Sequence, residues 1–258
     1  MPDGYSIEAR SLSVAGVGSH DFWVLRDPQG KALAELHGLA TDRETQRAVP
    51  IGTDEKKHSL RVWHFAHDKE FAAEHGIRPT AESYIQDGQQ HRTALTGSKE
   101  EILGRWNAAV AAQGQLNQLD LDYPNYGFKV FGETVNSNST YRTLGEIMGV
   151  PVRDFGGVLE PGIDNRMTTP EQIEKLRDPK YPVLSSNTGD VHPARGGVDA
   201  LLAGARDGGG DNLSTAMRDL LASPQGQDFA ARAQLSAQQA AETARQAPAT
   251  APDAPARG

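Results

Sequence analysis

The C-terminal end of this 258-residue chain constrains its fold more than any other feature. From about residue 234 onward the sequence is mostly Ala, Gln, Thr and Pro, closing on APATAPDAPARG. Such a segment has too little apolar surface to offset the entropy lost on ordering it. Any core must therefore lie upstream. The sequence predicts an α+β domain over residues 1–197, a short helical extension over 198–233 and a disordered Ala/Gln/Pro-rich tail over 234–258. Apolar residues make up 37% of the chain, enough for one core upstream but not one that absorbs every residue.

Within the upstream part, the segment HDFWVLRD at residues 20–27 is rich in aromatic and β-branched types. The turn Asp27-Pro28-Gln29-Gly30 and the segment KALAELHGL follow it. Pro at the second turn position and Gly at the fourth suit a type I turn, so this reads as a β-hairpin over residues 19–39. SLRVWHF at 59–65 reads as a further strand. Asp68 is placed to cap a short helix through Glu74 that Gly76 closes. Ser98 and Glu101 form a capping-box signature opening a longer helix, with Ile102, Leu103, Trp106 and Val110 on one stripe. Thr140 to Met148 reads as a helix stopped by Gly149, with Pro151 just beyond. Residues 151–197 hold few periodic apolar positions and read as a long irregular segment, with short amphipathic helices at 198–205 and 213–222. The expected architecture is a small antiparallel sheet packed against helices.

Composition narrows the function. A net charge of −8 without a Lys/Arg cluster argues against a nucleic-acid partner, because neutralising phosphates needs a basic face. There is no cysteine, so disulfides, thiolate metal sites and a cysteine nucleophile are excluded. No run approaches the ~20 apolar residues of a membrane helix, and the first residues lack the pattern of a Sec signal peptide. His64, His67 and His75 raise a metal site, but His64 on a strand and His67 at a helix start need not point together. Asp120 and Asp122 lack the spacing and closing Glu of a calcium loop and read as solvated carboxylates. No metal or cofactor is expected. Trp63, Phe65 and Trp106 read as core.

The residues that carry chemistry join the hairpin to Asn136-Ser137-Asn138-Ser139, just before the predicted helix at 140–148. A serine at a helix N-terminus gains from free backbone N–H groups and the positive end of the dipole, which stabilise a developing oxyanion. His20, at the start of its strand, is the candidate base. Glu35 and His37 share one face of the partner strand by the period-two rule, so either is placed to orient the imidazole. Asn136 and Asn138 carry amides able to position an oxyanion. A one-residue shift in the helix start would exchange Ser137 for Ser139 as the nucleophile. The same Asn and Ser residues are also preferred helix caps with no catalytic duty.

A histidine-bearing strand, a hairpin, and a distant Asn-Ser-Asn-Ser leading into a helix resemble the circularly permuted NlpC/P60 (papain-like) superfamily, over about residues 15–150. That resemblance implies a permuted papain-like fold with His20 as base, Ser137 at the nucleophile position and His37 or Glu35 as the third polar residue. It implies an amide or ester hydrolase acting on peptidoglycan peptides or lipids, or a non-catalytic module of the same fold that engages a protein target. Ser137 stands where the family's catalytic members carry cysteine. A looser resemblance to bacterial secreted effectors and toxins implies synthesis in a bacterial cytoplasm and export by a specialised secretion system. An immunity protein or a secretion adaptor would then be a partner.

Overall fold

The computed structural model describes residues 4–14, 18–49, 52–127, 129, 133–155 and 160–184. The helices expected at 198–205 and 213–222, the 198–233 extension and the 234–258 tail lie outside the described residues. Five strands are described: β1 (Tyr5–Val14), β2 (Gly18–Arg26), β3 (Ala32–Asp42), β4 (His58–Ala66) and β5 (Gln90–Gly97). They form one sheet in the order β4-β3-β2-β1-β5, and every neighbouring pair is antiparallel. The α+β architecture read from the sequence is the one observed.

The predicted hairpin is β2 and β3. The Gly30 amide donates to the Asp27 carbonyl at 3.0 Å, closing the turn, and Gly30 has a positive φ of 81° that favours glycine. The sequence reading missed β1 and β5. In β1, Ile7 and Ala9 enter the core while Glu8 and Arg10 face the other way, and the strand carries little aromatic or β-branched weight. β5 is an edge strand with mostly exposed or half-buried residues, so it lacks an apolar pattern.

Four α-helices are described. α1 (Lys69–Glu74) begins at Asp68, whose side chain accepts from the Glu70 and Phe71 amides, as expected. α2 (Lys99–Gln118) begins at Ser98, which accepts from the Glu101 amide. The Glu101 carboxylate does not complete a capping box; it bonds Arg105 instead. The buried stripe of α2 runs through Ile102, Arg105, Trp106, Ala109, Ala112 and Leu116, with Leu103 and Val110 only half-buried. α3 (Ser137–Met148) starts three residues earlier than predicted and ends at Gly149, whose φ of 66° and ψ of 28° give the left-handed cap. α4 (Pro170–Leu176) interrupts the segment read as irregular, with Thr169 as cap and Pro170 in the first turn.

α2 and α3 cover one face of the sheet, α3 over β2 and β3, α2 mainly over β4. Trp23, Leu25, Leu36, Leu60 and Val62 from the sheet meet Trp106, Leu116, Tyr141, Leu144 and Ile147 from the helices to form the core. Trp23 stacks on Tyr141 with ring centroids 4.5 Å apart, and its indole N–H donates to the Tyr141 carbonyl. Gly38 lets α3 approach closely: a Cβ there would lie 2.3 Å from the Thr140 Cβ. Segment 79–89 straps the opposite face, where Arg10 donates to Gln89 at 2.8 Å and to the Gln86 carbonyl at 3.3 Å.

Candidate functional site

The site begins with a gap in the sheet. The ladder between β2 and β3 runs only from Arg26/Ala32 to Trp23/Leu36. Past that point the backbone of β2, still paired to β1, loses its β3 partner, and the first turn of α3 supplies one. The Asp21 amide donates to Asn138 Oδ1 at 3.0 Å, and Asn138 Nδ2 donates to the Ser19 carbonyl at 3.1 Å. Asn138 therefore brackets His20 along the backbone of β2. This explains why a short polar residue opens α3: its side chain completes the hydrogen bonding of a strand.

On the other side of the same gap the side chains form a continuous chain. Strand alternation turns His20 and Phe22 away from the face on which Trp23 meets α3. His20 Nε2 lies 2.9 Å from His37 Nδ1, and His37 Nε2 lies 2.8 Å from Glu35 Oε2. The sequence left Glu35 and His37 as alternative orienting groups; the structure uses both in series. Burial raises the Glu35 pKa, but hydrogen bonds from His37, His67 and Ser83 outweigh it and hold the carboxyl far below its usual range. Burial also pushes His37 down, and pushes His20 down to about 3. Both imidazoles are therefore neutral at ordinary pH. The ionised Glu35 only accepts, so His37 carries its proton on Nε2 and offers a lone pair at Nδ1. His20 must then donate from Nε2, which leaves its Nδ1 as the free base.

Three contributors to this network escaped the sequence reading. His67 Nε2 lies 2.8 Å from Glu35 Oε1, the Ser83 hydroxyl donates to the same oxygen, and the Tyr84 amide donates to Oε2 at 3.0 Å. The Tyr84 ring covers the relay, 4.5 Å from His37 and 5.5 Å from His20 between centroids. His64 turns to the helix face, where it accepts from the Trp106 indole at 3.3 Å. The two histidines of the H-x-x-H motif thus part. Among the described residues no three His, Cys, Asp or Glu side chains are arranged to hold a metal. Asp120 and Asp122 pair with Arg43 and Arg61 at the surface.

At the start of α3 the polar groups are largely committed. Asn136 caps the helix: its Oδ1 accepts from the Asn138 and Ser139 amides, and its Nδ2 donates to the Gly127 and Pro161 carbonyls. Ser139 completes the capping box and donates to the Gly162 carbonyl at 2.7 Å. The Asn136 and Asn138 amides, expected to position an oxyanion, are engaged in structural bonds. That leaves Ser137 as the nucleophile candidate. Its hydroxyl lies beside the buried Tyr123 phenol, whose pKa burial raises. No hydrogen bond joins Ser137 to His20 among the described residues, and the two are 5% and 7% exposed. The site is closed.

Behind His20, Asp21 lies fully buried beside the Ser11 and Ser19 hydroxyls and the Glu160 carboxyl. By bond geometry neither of its oxygens has a partner. Burial first, with mutual repulsion added for Glu160, raises both carboxyls above the usual range. No family model matches this chain, and no curated protein or solved structure does either.

Proposed function

We propose that the domain is an amide or ester hydrolase of the permuted NlpC/P60 type in which Ser137 attacks and His20 accepts its proton. His37 fixes the His20 tautomer and Glu35 fixes His37. The observation that carries the reading is the unbroken Glu35–His37–His20 chain, which leaves a lone pair at Nδ1 of a histidine whose two strand neighbours, Ser19 and Asp21, are bonded through their backbone to Asn138 of α3. A buried carboxylate aligned through two neutral imidazoles is a costly arrangement for packing alone, and it is the form a general base takes. For attack, Ser137 turns from Tyr123 toward His20 and the cover over the site opens. The Ser137 N–H, which has no acceptor among the described residues, then faces the oxyanion with the dipole of the 12-residue α3 behind it. Peptidoglycan stem peptides and lipid esters are the substrate classes, and secretion as a bacterial effector, with an immunity protein or adaptor as partner, is the setting that goes with them.

A second reading is a non-catalytic module of the same fold that engages a protein partner. It rests on the contact of Ser137 with Tyr123 and on the burial of both Ser137 and His20. Labelling with a small fluorophosphonate separates the two. The hydrolase reading expects stoichiometric labelling that vanishes in Ser137→Ala and His20→Ala and survives in Ser139→Ala. An unlabelled wild-type protein, or labelling that persists in Ser137→Ala, establishes the second reading or another serine.

A further inference from the structure

Glu35 is met by four donors, two on each oxygen: His67 Nε2 and Ser83 Oγ on Oε1, His37 Nε2 and the Tyr84 amide on Oε2. Its side chain has no solvent contact. A lone carboxylate in such a place, beside two neutral histidines, draws a proton from its surroundings unless a positive charge stands next to it. The nearest source of that proton is His37, and taking it would reverse the relay. The opposite side of Glu35 holds the answer. His67 Nε2 faces Glu35 and His67 Nδ1 faces the Thr80 carbonyl at 3.3 Å. A carbonyl and an ionised carboxylate only accept, so both ring nitrogens of His67 must donate. A histidine that donates from both nitrogens is an imidazolium.

We infer that His67 is a positioning residue of the relay, held as a cation between Glu35 and the Thr80 carbonyl, and that its charge keeps Glu35 ionised and His37 and His20 in their Nε2–H forms. The charged and titratable groups around it are Glu35, His37 and His64. Glu35 raises the His67 pKa, first through the hydrogen bond. His67 is 15% exposed at its side chain, so its cation keeps some contact with water, unlike His37. Ser83 adds a neutral donor from an exposed loop position and ties segment 80–84 to the same carboxylate. The ion pair therefore does two things at once: it sets the tautomers of the relay and fastens the strap that carries Tyr84 over it.

The inference rests on reading Glu35–His37–His20 as a base relay, but its readout is protonation and not turnover. Long-range proton–nitrogen NMR of the full-length, nitrogen-15-labelled protein reports which ring nitrogens carry protons. At neutral pH we expect two protonated nitrogens on His67 and a single one, Nε2, on each of His37 and His20. In His67→Gln the amide still donates to Glu35 but brings no charge. Glu35 then takes the His37 Nε2 proton, His37 carries its proton on Nδ1 and donates it to His20, and His20 changes to the Nδ1–H form. His67→Arg restores the wild-type pattern. Backbone amide resonances of α2 and α3 show that each variant is folded. A neutral His67 in the wild-type protein, or an unchanged His20 tautomer in folded His67→Gln, overturns the inference. A protein that hydrolyses nothing leaves this test intact.

Discussion

Two buried acids on either side of β2 respond oppositely to pH. Glu35 has four donors and stays ionised, whereas Asp21, on the helix face, has hydroxyls and a second carboxyl for company. Burial raises Asp21 and Glu160, so the folded chain binds their protons more tightly than the unfolded chain does. The sign follows from linkage: this stability is fully present below the unfolded carboxylate pKa of about 4 and is lost as pH rises through the raised values. Buried neutral His20 and His37 pull the other way up to the unfolded histidine pKa of about 6.5, so thermal melting should show a midpoint that falls as pH rises above that value. Asp21→Asn should flatten the fall and raise the midpoint at pH 8 by several degrees, since ~1 kcal/mol moves a domain of this size by about 2–4 °C. An unchanged slope would mean that the pair is already ionised near pH 5. The sequence could show that Glu35 and His37 share a face, because two residues of one strand obey a fixed period. It could not show His67 and Ser83 reaching Glu35, because those bonds span 32 and 48 residues of chain.

Elements that carry their own end signals were readable. Asp68, Ser98 and Gly149 cap helices by local chemistry, and the hairpin is written in its turn. β1, β5 and α4 were not readable, each for a physical reason. β1 gives one face to charged pairs such as Glu8 with Arg10 and Arg26; β5 lies at the sheet edge; α4 buries only Ile173. The start of α3 was misplaced because Asn136, Asn138 and Ser139 are all residues that cap helices, and only the tertiary bonds decide which does. How tightly α3 lies on the sheet gives an element-scale prediction. Gly38→Ala places a methyl 2.2 Å from Thr140 Oγ1 in a packed layer. Such overpacking costs about 1–3 kcal/mol or more. Denaturant unfolding should show that loss, and Gly38→Ala combined with Thr140→Ala should recover most of it. A stable single variant would mean that α3 is free to lift from β3.

At the scale of the whole molecule, the proposed hydrolase takes its base from an antiparallel sheet and its serine from a helix laid over it. Sheet and helix meet where the ladder between β2 and β3 stops at Trp23 and Leu36, through Asn138 and the Ser19 and Asp21 backbone. The gap is what makes a site: Asn138 from α3 and His20 from β2 share it from opposite sides. The absence of cysteine in all 258 residues allows a direct probe of that meeting point, because Ser137→Cys would carry the only thiol. Its pKa, read from the rate of iodoacetamide alkylation against pH, measures whether position 137 is served by a base and a helix N-terminus. The account predicts a thiol at least about one unit below the ordinary ~8.5, returning toward that value when His20→Ala is added. A thiol at or above the ordinary value, indifferent to His20, would contradict it and leave the relay a structural feature of a binding module.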